Sequence, residues 1–147
     1  MSTTALLLDY LFARPLIEAR LVDQVADLAG GVYGIDELAQ AVEKNITAPT
    51  AFVLWEGDAF GDSAVEGRSQ IMRQQWTVLL AVRNATQQRG APRNESAGPL
   101  MSAVHKALAG WKPEGALRPL ARTTGRRATY TRNVGLYPLA FQLPLNI

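Results

Sequence analysis

The stretch Gln75-Trp76-Thr77-Val78-Leu79-Leu80-Ala81-Val82-Arg83 is apolar on both of its faces and contains neither glycine nor proline. It predicts a central β-strand. Side chains alternate across a strand, so Trp76, Val78, Leu80 and Val82 point one way and Thr77, Leu79 and Ala81 the other. That pattern buries one side fully and most of the second. Such a strand needs a partner on each edge and a covering layer. On its N-terminal side, Ala51-Phe52-Val53-Leu54-Trp55 follows the Ala48-Pro49-Thr50 break as a short buried strand. On its C-terminal side, Leu136 to Leu143 is also strand-like.

Helical stretches flank these strands. From Pro15, a favoured first helical residue, Ile17, Leu21, Val25 and Leu28 mark one face, with Glu18, Arg20, Asp23 and Asp27 off it and Gly30-Gly31 as the stop. Ile35 to Glu43 is a weaker helical stretch that Asp36 is placed to cap. A second helix starts at Pro99, carries Leu100, Val104, Leu108 and Trp111 near one face, and ends at Gly110, with Pro113 preventing continuation. Between the elements lie two segments that read as long loops. Glu56 to Gly67 is glycine-rich and acidic and sits at the tip of a long antiparallel hairpin; Thr86 to Gly98 is polar and without apolar period. From Leu117 the pattern turns β again: Leu117 to Arg122, a Gly125-centred turn, Ala128 to Arg132, then Leu136 to Leu143. Pro119, Pro138 and Pro144 cannot donate to a ladder and point to edges, bulges or strand ends. Residues 1–14 are apolar without periodicity and fit a short helix or an edge segment equally.

A chain of 147 residues with 48% hydrophobic residues is long enough to bury roughly 70% of its unfolded surface in one domain. Residues 1–147 therefore read as a single α/β domain of the α+β type, with 1–14 a possible N-terminal extension. There is no cysteine, which excludes disulfides, thiolate zinc sites and thiol catalysis. The N-terminus lacks a basic region and Asp9 interrupts its apolar run, so it makes a poor signal peptide. No stretch reaches the ~18 apolar residues of a membrane span, so synthesis in the cytoplasm and no membrane partner are expected. The net charge of +2 hides an asymmetry: residues 1–66 carry 11 acidic and 3 basic side chains, residues 67–147 carry 2 acidic and 12 basic. A bipolar chain of this kind either neutralises itself within one fold or pairs head to tail with copies of itself.

The catalytic inventory is thin. His105 is the only histidine, has no metal-ligand spacing around it, and reads as a partly exposed structural residue. Ser63 lacks the Gly-x-Ser-x-Gly elbow of a nucleophile, and no glycine-rich phosphate loop occurs. No catalytic residue, cofactor or metal is expected, and the chain is not read as an enzyme. Glu56, Asp58, Asp62 and Glu66 have the composition of a cation site or a carboxylate pair, but without the fixed glycine and terminal glutamate of a calcium loop they read as a solvated acidic tip. Arg118, Arg122, Arg126, Arg127 and Arg132, with Tyr130 among them, are the best nucleic-acid candidate, through phosphate contacts and base stacking. Alternation along strands does not make these arginines converge, and a subunit interface is the stronger reading of the same charges.

Pro49 to Leu54, the strand Gln75 to Val82, Gly98-Pro99-Leu100 through Leu108-Ala109-Gly110-Trp111, and the closing Tyr137-Pro138-Leu139-Ala140-Phe141 together resemble the Mu-like family of phage tail terminator (tail completion) proteins. In order and spacing the resemblance runs from about Ile17 to Leu143, and its motifs are packing motifs. It implies helices packed on one face of a mostly antiparallel sheet, and a homohexameric ring at the head-proximal end of the virion tail. The ring would cap the tail tube, stop tube-protein polymerisation and present a surface to head-completion (neck) proteins, with DNA only passing through its lumen. In that setting the arginine cluster is the expected subunit or partner interface, and the acidic segment the expected lumen or docking loop. Two alternatives are a neck protein of another type and a small nucleic-acid-binding module using the arginines.

Overall fold

A computed structural model describes residues 6, 8–38, 49–83, 91–131 and 134–146, and of 91–96 the backbone alone. In chain order its elements are α1 (Ala13–Gln24), β1 (Val32–Tyr33), a 3-10 turn (Ile35–Glu37), β2 (Thr50–Ala64), β3 (Ser69–Arg83), α2 (Ala91–Leu108), β4 (Ala121–Thr123), β5 (Thr129–Tyr130) and β6 (Val134–Asn146). The six strands form one sheet in the order β1-β2-β3-β6-β4, with β5 also on β6. Only the β1/β2 pair is parallel.

The stretch Gln75–Arg83 lies in the middle strand, as its two apolar faces require. β3 pairs with β2 on one edge, Val78 opposite Val53, and with β6 on the other, Val78 opposite Leu139. Trp76, Val78, Leu80 and Val82 face the main core together with Ala51 and Val53 of β2 and Tyr137, Leu139, Phe141 and Leu143 of β6. Both helices close this face. Ile17 and Leu21 of α1 and Leu100, Val104 and Leu108 of α2 are buried in the same cluster. Arg20 clasps the helices: its Nε donates to the Ala107 carbonyl at 3.0 Å and its guanidinium lies 5.4 Å from the Trp111 ring centroid. The opposite face holds a smaller cluster of Phe52, Leu54, Ala81 and Val134, against which Leu38 packs. There the turn after β4 approaches so closely that a Cβ on Gly125 would stand 2.6 Å from the Ala140 Cβ, so this position has no room for a side chain.

Several expected boundaries move. α1 ends at Gln24 rather than at Gly30-Gly31, yet Val25 and Leu28 remain buried because the turns after the helix fold back on the core. Gly34, not Asp36, precedes the 3-10 turn, and Asp36 lies in its first turn; residues 39–43 of the expected helix fall outside the described residues. α2 begins at Ala91, so the expected loop is helical over 91–98 and Pro99 sits inside the helix. Pro92 is compatible with a first turn; Pro99 is exposed and displaces no core neighbour, but inside the helix it lacks its N–H bond and crowds the carbonyl four residues before it, a cost of about 3 kcal/mol. Gly110 ends α2 as expected, at φ +81° with its N–H donating to the Leu120 carbonyl at 2.8 Å. Leu117 to Leu120 is irregular and only Ala121–Thr123 joins the sheet. β6 is longer than expected and accommodates Pro138 and Pro144 because β4 and β5 pair only with residues 140–142 and 135–136. Both prolines lie where no ladder bond on that side is needed.

Described residues of the N-terminal segment pack on the core. Leu6 and Phe12 are buried in the main core, and the Tyr10 carbonyl accepts from Gln74 Nε2 at 2.7 Å. Gln74 is fully buried in β3, and its Oε1 accepts from the indole N–H of Trp76 at 3.2 Å. One amide thus satisfies two groups that would otherwise be orphaned in the core. Gln74→Ala is expected to lower unfolding free energy by about 2–4 kcal/mol, from the cavity and the two unpaired groups. Gln75→Ala, on the other face, should change it little; urea midpoints of the two variants check this.

Candidate functional site

The acidic segment expected as a loop is a β-arm. β2 continues through it to Ala64 against β3, and the turn is confined to Val65–Arg68, where the Arg68 N–H donates to the Val65 carbonyl at 3.1 Å. Glu66 and Gly67, the central pair, have φ of +53° and +86°, the left-handed backbone of a tight hairpin turn. Glycines and acids hide the strand in the sequence, but β3 supplies a complete hydrogen-bonding edge, and pairing outweighs propensity. Trp55, Phe60, Val65 and Ile71 leave large apolar surfaces exposed along the arm.

Two register shifts shape it, between Trp55 and Gly57 and between Phe60 and Ser63. The first is an extra residue at Glu56, made possible by Gly57 at φ +113°. Without it Asp58 would face away from the helices. With it Asp58 pairs opposite Gln74 and shares a face with Trp55 and Tyr10. The Tyr10 hydroxyl donates to Asp58 Oδ2, the Trp55 indole N–H donates to Oδ1 at 3.1 Å, and the two rings meet edge to face at 6.1 Å. Asp58 therefore latches the N-terminal segment to the arm.

The four acidic residues have separate fates. Glu56 is ion-paired with Arg126, Asp58 is held by Tyr10 and Trp55, and Asp62 and Glu66 are exposed near the tip. Among the described residues, no three His, Cys, Asp or Glu side chains come together in a way that could hold a metal ion.

The arginines also diverge. Arg122 on β4 lies over the Phe141 ring, 5.6 Å from its centroid, and its Nη1 donates to His105 Nδ1 at 3.2 Å; that bond requires the imidazole lone pair at Nδ1. Arg126 is in the turn that crosses Ala140 on the other face of the sheet and reaches Glu56. These two guanidiniums and His105 line an open cleft of about 630 Å³ together with Thr123 and Thr124. Arg118 lines a different cleft of about 460 Å³, with Ile71, Leu117 and Pro144. Arg127 is exposed, and Arg132 falls outside the described residues. Sequence reasoning missed the Tyr10–Asp58 latch, because nothing local links the two positions. A polar Gln74 interrupting the core-facing side of β3 was the one available signal.

The Tyr10 hydroxyl is pushed up to about 12, first by partial burial, then by its hydrogen bond to Asp58 and by that carboxylate's charge. A folded-state value above the unfolded one of about 10 means the latch contributes fully below pH 10 and is lost as pH rises toward 12. Stability of the native chain is expected to fall between pH 10 and 12 more steeply than that of Tyr10→Phe. Denaturant midpoints across this range check it, and absorbance at 295 nm should show one late-titrating tyrosine that the variant lacks.

No helix among the described residues is long and apolar enough to cross a membrane. No curated protein shows a significant match to the chain. Residues 7–147 match the model of the phage tail terminator protein family, the family that the packing motifs resemble. The chain belongs to that family and is a structural protein of the phage tail, a component of the virion.

Proposed function

We propose that this chain closes into a homohexameric ring that caps the finished tail tube at its head-proximal end, ends tube polymerisation and offers a face to the head-completion proteins. Family membership across nearly the whole chain carries the reading. The fold supports it with a stiff arm that exposes Phe60 and Val65 for contact and with a charge distribution suited to head-to-tail association. Glu56 and Asp58 serve the internal structure of the arm, which leaves Asp62 and Glu66 as the acidic groups that would face passing DNA and repel its phosphates. Tyr130, the base-stacking candidate, already meets the Tyr137 ring edge-on at 5.8 Å, and Arg118 lines a different cleft from the one that Arg122 and Arg126 share, so the described arginines form no single basic stripe for a nucleic-acid backbone.

Absolute mass by light scattering, over a concentration series at low and moderate salt and in the presence of tail tubes, tests the ring. The expected species has six times the 16.0 kDa chain mass, and tubes assembled with it should stop at a defined length. A single-chain mass throughout, with tubes growing past the added protein, would overturn the proposal.

A further inference from the structure

Among the described residues the strand order places β1 at one edge of the sheet and β4 with β5 at the other. They carry opposite charge. At the first, Tyr33 and Ile35 are 41% and 60% exposed and Asp36 and Glu37 follow in the 3-10 turn, both exposed. Among the described residues neither carboxylate lies within ion-pair distance of a cation; the Arg14 guanidinium and the Glu37 carboxylate both flank Gly34, and Arg14 is bound to Glu18 at 3.4 Å. At the second edge Arg122 and Arg127 are exposed and have no carboxylate partner among the described residues, and Tyr130, opposite Gly135 where Arg122 is opposite Phe141, is 50% exposed further along the same edge.

We infer that the β1 edge of one copy docks on the β4–β5 edge of the next, with Asp36 and Glu37 facing Arg122 and Arg127. The inference rests on the ring reading and names its subunit contact. Two features select a second copy as the occupant. The charges are complementary between the edges and would repel if either edge met itself, which excludes a two-fold pairing and leaves a head-to-tail contact that propagates in one direction and closes. Tyr33 and Ile35 at the first edge and Tyr130 at the second add exposed apolar surface that the contact would cover.

Charge reversal tests it, with circular dichroism confirming that each variant folds. Asp36→Lys with Glu37→Lys, and separately Arg122→Glu with Arg127→Glu, should each raise the concentration needed for assembly about tenfold or more. Mixing the two variants should restore assembly, as should all four changes in one chain. Because Arg122 also touches His105 and Phe141, the exchange of Asp36→Lys with Arg127→Glu gives a second, independent rescue. A wild-type ring whose assembly ignores the reversals, or folded variants rescued by neither route, overturns the edge pairing while the ring stands. A wild-type chain that stays single even on tail tubes overturns the ring and the pairing with it.

Discussion

Everything in this fold hangs on β3 being closed on all four sides. Its backbone is paired along β2 and β6, and its side chains are buried on the helix face and over much of the other. Trp76 and Phe141, opposite each other across the β3/β6 pair, are fully buried; each such side chain contributes about 1.5–3 kcal/mol by leaving water. The two helices cover this sheet as a pair, because Arg20 binds the last turn of α2 and stacks on Trp111. The layer above the sheet is therefore cross-linked by one side chain as well as by its apolar faces.

The same pairing carries order beyond the core. β2 and β3 run together well past the helices, so the conformational entropy of an acidic loop is lost in folding rather than when a partner arrives. The inserted residue at Glu56 then decides which chemistry each face of the arm presents. It turns Asp58 toward Tyr10 and frees Glu56 to hold the turn carrying Arg126. Through these two acids the arm is tied to the N-terminal segment on one side of the sheet and to the β4–β5 turn on the other. In a structural tail protein such ties hold contact surfaces in fixed relation to one another.

Much of this was legible because burial writes a period into the sequence. The alternation from Trp76 to Val82 located the central strand, the spacing of Ile17, Leu21, Val25 and Leu28 and of Leu100, Val104 and Leu108 marked the covered faces, and Gly110 marked a helix end. Composition misled where a partner overrides it. Glu56 to Ala64 looked like a loop because its strand character comes from β3, and the Pro- and Gly-containing start of α2 looked irregular because both residues disfavour a helix, whereas burial of Ala97, Leu100, Val104 and Leu108 on the sheet offsets that cost. The separation of the arginines has another cause than the strand alternation expected of them: only Arg122 is on a strand, while Arg118, Arg126 and Arg127 sit in irregular segments, and their neighbours, His105 for Arg122 and Glu56 for Arg126, were not legible either. Those partners, like Tyr10 with Asp58, are distant in sequence and leave no periodic trace.

The register of β3 also sets the order in which the sheet can form. Its pairing with β2 closes through the four-residue turn Val65–Arg68 and is local, but its pairing with β6 joins Arg83 to Val134 and Ile71 to Asn146 across the whole of α2 and the strands after it. Closing so long a stretch costs chain entropy before any contact rewards it. The hairpin is therefore the natural nucleus and β6 the late arrival. Until β6 docks, one edge of β3 stays open, and folding and aggregation compete for that edge.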